Sequence, residues 1–77
     1  MVAISILDPD ESDRLYRIAR VAGHAVSVFG AEDKATTWLQ RPNRALNGEL
    51  PIRLLDTDVG ARQVEDILGR IEHGIVS

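Results

Sequence analysis

The chain has 77 residues, with nine Lys and Arg against twelve Asp and Glu, a formal charge of -3 and no cysteine. A single domain of this size removes only ~60% of its unfolded surface from water, which argues against a deep catalytic cleft, and without cysteine there is no disulfide framework or thiolate metal site. The acidic balance opposes general attraction to nucleic-acid phosphates, while the opening MVAISIL, with no basic region and a short apolar run, fits neither a secretory signal nor a membrane span, so a cytoplasmic protein is expected.

The first helix is expected from Asp8 to Gly30. Asp8 suits the N-cap, Pro9 the first helical position, and Glu11 the third position of a capping box. Apolar residues recur at Leu15, Ile18, Ala22, Ala25, Val26 and Phe29, spaced by three and four. Arg14, Arg17 and Arg20 fall largely on the other side, and Gly30 stands where a left-handed C-cap belongs.

A second helix is expected from about Glu32 to Gln40, with Glu32 and Asp33 in the first turn, where the helix dipole favours acids. Ala35, Trp38 and Leu39 form its apolar side. So short a helix needs tertiary contacts to persist, and Trp38, the only tryptophan, is the natural anchor.

The connection that follows, RPNRALNGELPIRLLDTDVGARQV, is crowded with punctuating residues. Pro42 stops the second helix, because the residue before a proline avoids the α region. Asn43 can cap a turn through Arg44, Ala45 and Leu46, Asn47-Gly48 is a strong turn dipeptide, and Pro51 can start a short helical piece. Leu46, Leu50, Ile52, Leu54 and Leu55 are apolar pegs that tie this path to the core.

The last helix is expected from about Asp58 to His73, capped by Thr57 or Asp56. Val64, Ile67, Leu68 and Ile71 form one stripe. Gly69 inside that pattern costs ~1 kcal/mol relative to alanine and hints at close approach of another backbone. Gly74 ends the helix. The fold expected is all-α: three main helices with a short helical turn between the second and the last.

These residues assemble no catalytic constellation. His24 and His73 have no metal-ligand spacing around them, and no serine sits in a nucleophile motif. The acid pairs Asp10-Glu11, Glu32-Asp33 and Glu65-Asp66 fall at helix starts or on a polar face. No catalytic residue, metal or cofactor is expected. The arginines could form a basic face, but acids interleave with them.

The segment Val28 to Ile75 resembles the toxin-binding domain of Xre/MbcA/ParS-type antitoxins. It shares VFG followed by an acidic turn and an alanine, then WL, P-N-x-x-L-x-G-x-x-P, a leucine pair before D-T, G-A-x-x-V and a final L-G-R-I-E-x-G-I. The upstream ESDRLYRIARV is also similar. The resemblance implies an N-terminal segment over residues 1–7 and a toxin-binding domain over residues 8–77, without the helix-turn-helix domain that precedes it in many relatives. Direct DNA binding by this chain alone is therefore not expected.

The resemblance further implies a partner: a cognate RES-type toxin that consumes NAD or transfers ADP-ribose from it, whose active site the antitoxin covers. The last helix and tail would supply the contact, with Arg62, Glu65, Asp66, Gly69, Arg70, His73, Gly74, Ile75, Val76 and Ser77 as candidate toxin-binding residues. Arginines would set register at the rim, and the tail would act as a short apolar plug with a terminal carboxylate. A homodimer within a toxin-antitoxin hetero-oligomer is expected, since Ala19, Ala22 and Ala25 allow close helix packing. The rival reading is a helical dimerisation or adaptor module, once part of a DNA-binding regulator.

Overall fold

The structure is a computed structural model that describes residues 9–74. The elements, in order, are α1 (Pro9–Phe29), α2 (Glu32–Leu39), a 3-10 turn (Arg44–Leu46), α3 (Pro51–Leu54) and α4 (Asp58–His73). The fold is all-α; among the described residues the only extended pairing is an isolated bridge between Asn43 and Glu49. The expected capping box at Asp8 and the tail at Ile75, Val76 and Ser77 lie outside the described residues.

The α1 helix packs on both α2 and α4. Val21 and Ala25 are fully buried, with Ile18, Ala22, Val26 and Phe29 packed around them. This shifts the buried arc from the stripe expected: Val21 joins it, while Leu15 keeps 54% of its surface exposed. The cause is helix length. With 21 residues, α1 runs ~31 Å, whereas the 8 residues of α2 cover only ~12 Å, so the first turns of α1 extend past the element that would have covered Leu15.

Gly30 ends α1 at φ +81°, and its amide donates to the Val26 carbonyl at 2.7 Å. This left-handed cap reverses the chain, and the Phe29 and Trp38 rings meet across the corner with centroids 5.6 Å apart. Ala35 and Leu39 carry α2 into the core. The helix stops at Leu39, with Gln40 as its C-cap, one residue short of the expected end.

Local chemistry then steers the connection. The Asn43 side chain accepts from the Ala45 amide at 2.9 Å. Asn47 and Gly48 turn the chain at φ 58° and 84°, conformations that Asn tolerates and Gly adopts freely. Pro51 opens α3 with its ring buried. Leu55 at the end of α3 is wholly buried, while Leu46, Ile52 and Leu54 pack against the core from the edge.

At the α3 to α4 junction, Thr57 Oγ1 accepts from the Gly60 amide at 3.0 Å, settling the cap on Thr57. Gly60 has a stricter role: a β-carbon there would lie 2.8 Å from the Leu54 carbonyl carbon and closer still to its oxygen. Only glycine lets α4 start against the end of α3. Val64 and Leu68 then complete the core with Ala61. The close backbone approach expected at Gly69 is not there, because a β-carbon at that position would meet nothing within 4 Å. Among the described residues no helix is long and apolar enough to cross a membrane.

Candidate functional site

The chemistry of α4 differs around its circumference. One flank of α4, with the residues leading into it, faces α1 and is held by three arginine–carboxylate ion pairs and one histidine–carboxylate contact. Arg14 lies 3.6 Å from Asp56, Arg17 lies 3.9 Å from Asp58, Arg20 Nε donates to Glu65 Oε2 at 3.3 Å and His24 Nε2 lies 3.6 Å from Glu72. The α1 partners recur every three or four residues, one per turn, so the row sets the register of α1 on α4.

Arg17 is the strongest of these links. Its Nε donates to the Leu55 carbonyl at 3.0 Å and its Nη2 to the Asp56 carbonyl at 3.0 Å. These are carbonyls at the C-terminal end of α3, which have no helical partner. With its side chain only 12% exposed, the guanidinium joins them to Asp58 in the first turn of α4. The sequence reading placed these arginines away from the core. The unrecognised signal was that Asp56, just before α4, and Asp58, Glu65 and Glu72 along it supply acids in step with the basic positions of α1.

The opposite face of α4 is different. Arg62, Asp66, Arg70 and His73 are exposed. Among the described residues Arg62, Asp66 and Arg70 form no ion pair. A shallow depression is lined by Glu65, Asp66, Gly69, Arg70, His73 and Gly74. Its floor is open because Gly69 has no side chain and no neighbour fills the space above it.

Six of the ten candidate residues therefore meet at one depression, and Arg62 continues the same face one turn earlier. Glu65 stands at the border, lining the depression while accepting from Arg20. Ile75, Val76 and Ser77 lie outside the described residues. Val59, 66% exposed at the start of α4, adds an apolar contact to this face that periodicity had not singled out. Its signal was an apolar residue lying off the core stripe of Val64 and Leu68. Charge, a shallow contour and an isolated valine suit contact with a protein surface.

Gly74 N donates to the Arg70 carbonyl as the helix ends, and Gly74 keeps right-handed geometry at φ -74°. The chain thus leaves α4 at the lip of the depression. No group of three or more His, Cys, Asp or Glu among the described residues is placed to hold a metal ion.

Comparison with known proteins adds a family. A model of the antitoxin Xre/MbcA/ParS C-terminal toxin-binding domain matches residues 24–74, from the second half of α1 to the end of α4. The chain is similar to an antitoxin Xre of Photorhabdus laumondii, 52% identical over 69 residues that cover 88% of this chain and 47% of that protein. An antitoxin Xre of Yersinia enterocolitica is 44% identical over 70 residues, covering 90% of this chain and 47% of that protein. A Prs ADP-ribosylating antitoxin of Sphingobium is 31% identical over 77 residues, covering 88% of this chain and 48% of that protein. The chain spans about half the length of these relatives.

Proposed function

The chain belongs to the Xre/MbcA/ParS antitoxin family and carries its C-terminal toxin-binding domain, and from that premise we propose that it neutralises a cognate RES-type toxin acting on NAD by covering the toxin's active site. The covering surface is the outward face of α4, with Arg62, Asp66, Gly69, Arg70 and His73, continued by residues 74–77. The carrying observation is the division of charge on α4. The α1 flank is engaged within the chain, whereas Arg62, Asp66 and Arg70 around the Gly69 depression form no ion pair among the described residues.

Neutralisation of this kind needs shape, affinity and complementary charge, and no chemistry from the antitoxin; the chain acts as an inhibitor and not as an enzyme. Rim arginines steer the encounter and fix the register. Gly74 stands at the lip of the depression, and in this reading the apolar Ile75 and Val76 that follow it in sequence add to the contact with the toxin. The reading places both proteins in the cytoplasm, with the antitoxin working as a pair of copies. It gives the chain no direct role on DNA, in keeping with its net charge of -3.

The test is co-expression with the product of the neighbouring open reading frame, followed by a measurement of NAD consumption with and without the antitoxin. Stoichiometric loss of NAD turnover is expected. Removal of residues 74–77 is expected to restore part of that turnover while the complex still forms. A complex that consumes NAD at the rate of the free toxin would sink the reading.

A further inference from the structure

The seam between α1 and α4 fixes which other surfaces share a side of the molecule. Arg17, Arg20 and His24 meet Asp58, Glu65 and Glu72 in the same chain order, so the two helices run parallel. On each helix this row stands between the buried side and the outward side. Val21 and Ala25 lie to one side of it on α1, as Val64 and Leu68 do on α4. Tyr16 and Gly23 lie to the other side on α1, as Arg62, Asp66 and Gly69 do on α4. Because the two rows face each other, both outward sides belong to one surface of the helix pair.

Two recesses on that surface bear this out. One, lined by Asp13, Tyr16, Arg17, Arg20 and Asp58, is shared by α1 and the first turn of α4. The other is the Gly69 depression. Arg20 borders the first, Glu65 borders the second, and their ion pair stands between them. Tyr16, the only tyrosine, is 68% exposed at the rim of the first recess. The Arg20 guanidinium stands 5.9 Å from its ring centre and donates to Glu65, so one side chain ties the ring to α4. Further along α1, Gly23 is exposed and a β-carbon there would meet nothing within 4 Å, which leaves its backbone open to close approach.

We propose that the toxin-binding surface crosses the seam onto α1, with Tyr16 as an aromatic anchor that enters an apolar pocket on the toxin and Gly23 as the point of closest approach. This surface deepens the reading above and rests on it. Both residues precede the matched residues 24–74, so this half of the contact is additional to the α4 face. Area favours the extension. The outward side of α4, 16 residues long and about 10 Å wide, offers on the order of 240 Å², well below the ~800 Å² per partner of a standard interface. The parallel side of α1 about doubles that footprint. Tyrosine brings a large rigid ring with a polar tip, and such side chains carry much of the binding energy at interfaces. Arg20 holds the ring before the toxin arrives, which reduces the ordering cost of docking.

The experiment is calorimetric titration of the full chain with the product of the neighbouring open reading frame, using Tyr16→Ala, Gly23→Gln and, as a control, Arg53→Ala. All three positions are exposed, so each variant is expected to keep the helical circular dichroism of the wild type. Tyr16→Ala is expected to weaken toxin binding by about tenfold or more, and Gly23→Gln, which sets a side chain over bare backbone, by a similar factor. Arg53→Ala is expected to bind as the wild type does, because α3 meets α4 at Gly60, on the buried side. A wild type that inhibits the toxin while both α1 variants bind it with unchanged affinity would overturn the proposal and leave neutralisation through α4 standing. The same result with loss of self-association in sedimentation would assign this face to a second copy of the chain, and overturns the proposal as well. A wild type that fails to stop NAD consumption overturns both readings.

Discussion

At Gly60 a β-carbon would press on the Leu54 carbonyl group, which is rigid backbone, whereas at Gly69 it would meet nothing within 4 Å. Gly60→Ala therefore has to push α3 away from α4, and a loss of about 1 to 3 kcal/mol in chemical denaturation is expected. Gly69→Ala has the opposite sign: with no clash to offset the helix preference of alanine, a gain of about 1 kcal/mol is expected. A bulkier Gly69→Leu is expected to keep the fold while filling the depression on α4, so that toxin affinity measured by calorimetry falls by about tenfold or more. Affinity unchanged by Gly69→Leu would remove the depression from the binding surface. Sequence alone did not separate these two glycines. Both interrupt the same helix, and which one touches a neighbour depends on where α3 ends.

Among the elements, the link between α1 and α4 contains pairs of unequal weight. Arg14 and Asp56 are 48% and 67% exposed, so solvent screens their pair and Arg14→Ala is expected to cost no more than about 0.5 kcal/mol. Arg17 is only 12% exposed and donates to two carbonyls at the end of α3; Arg17→Ala leaves these without a protein donor, and a loss of about 2 kcal/mol in urea denaturation is expected. Equal losses from the two alanine variants would contradict this ranking. The comparison also marks what was legible. Element ends were read closely, because Gly30, Asn43, Asn47-Gly48, Pro51 and Thr57 act on their own backbone within a few residues. The rotation of α1 was not, because its buried arc depends on where α2 stops and how α4 lies across it. Arg17 was assigned to the solvent side for that reason, and Val21 was left out of the core. On α4 the exposed row from Arg62 to His73 follows from helical spacing alone, but the engagement of Glu65 by Arg20 depends on the register of the two helices.

For the whole molecule, the core and the proposed binding face lie on opposite sides of α4. Val64 and Leu68 turn one side of α4 toward Val21 and Ala25 of α1, while the depression lined by Asp66, Gly69 and Arg70 lies about half a turn away. Contact with a toxin on that face therefore leaves the core and the α1 ion-pair row untouched. Arg62→Glu combined with Arg70→Glu is expected to leave helical circular dichroism and thermal stability unchanged while association with toxin slows by about tenfold or more. An unchanged association rate in the double variant would contradict the placement of the contact, because it would mean that the charges on the outward side of α4 do not meet the toxin.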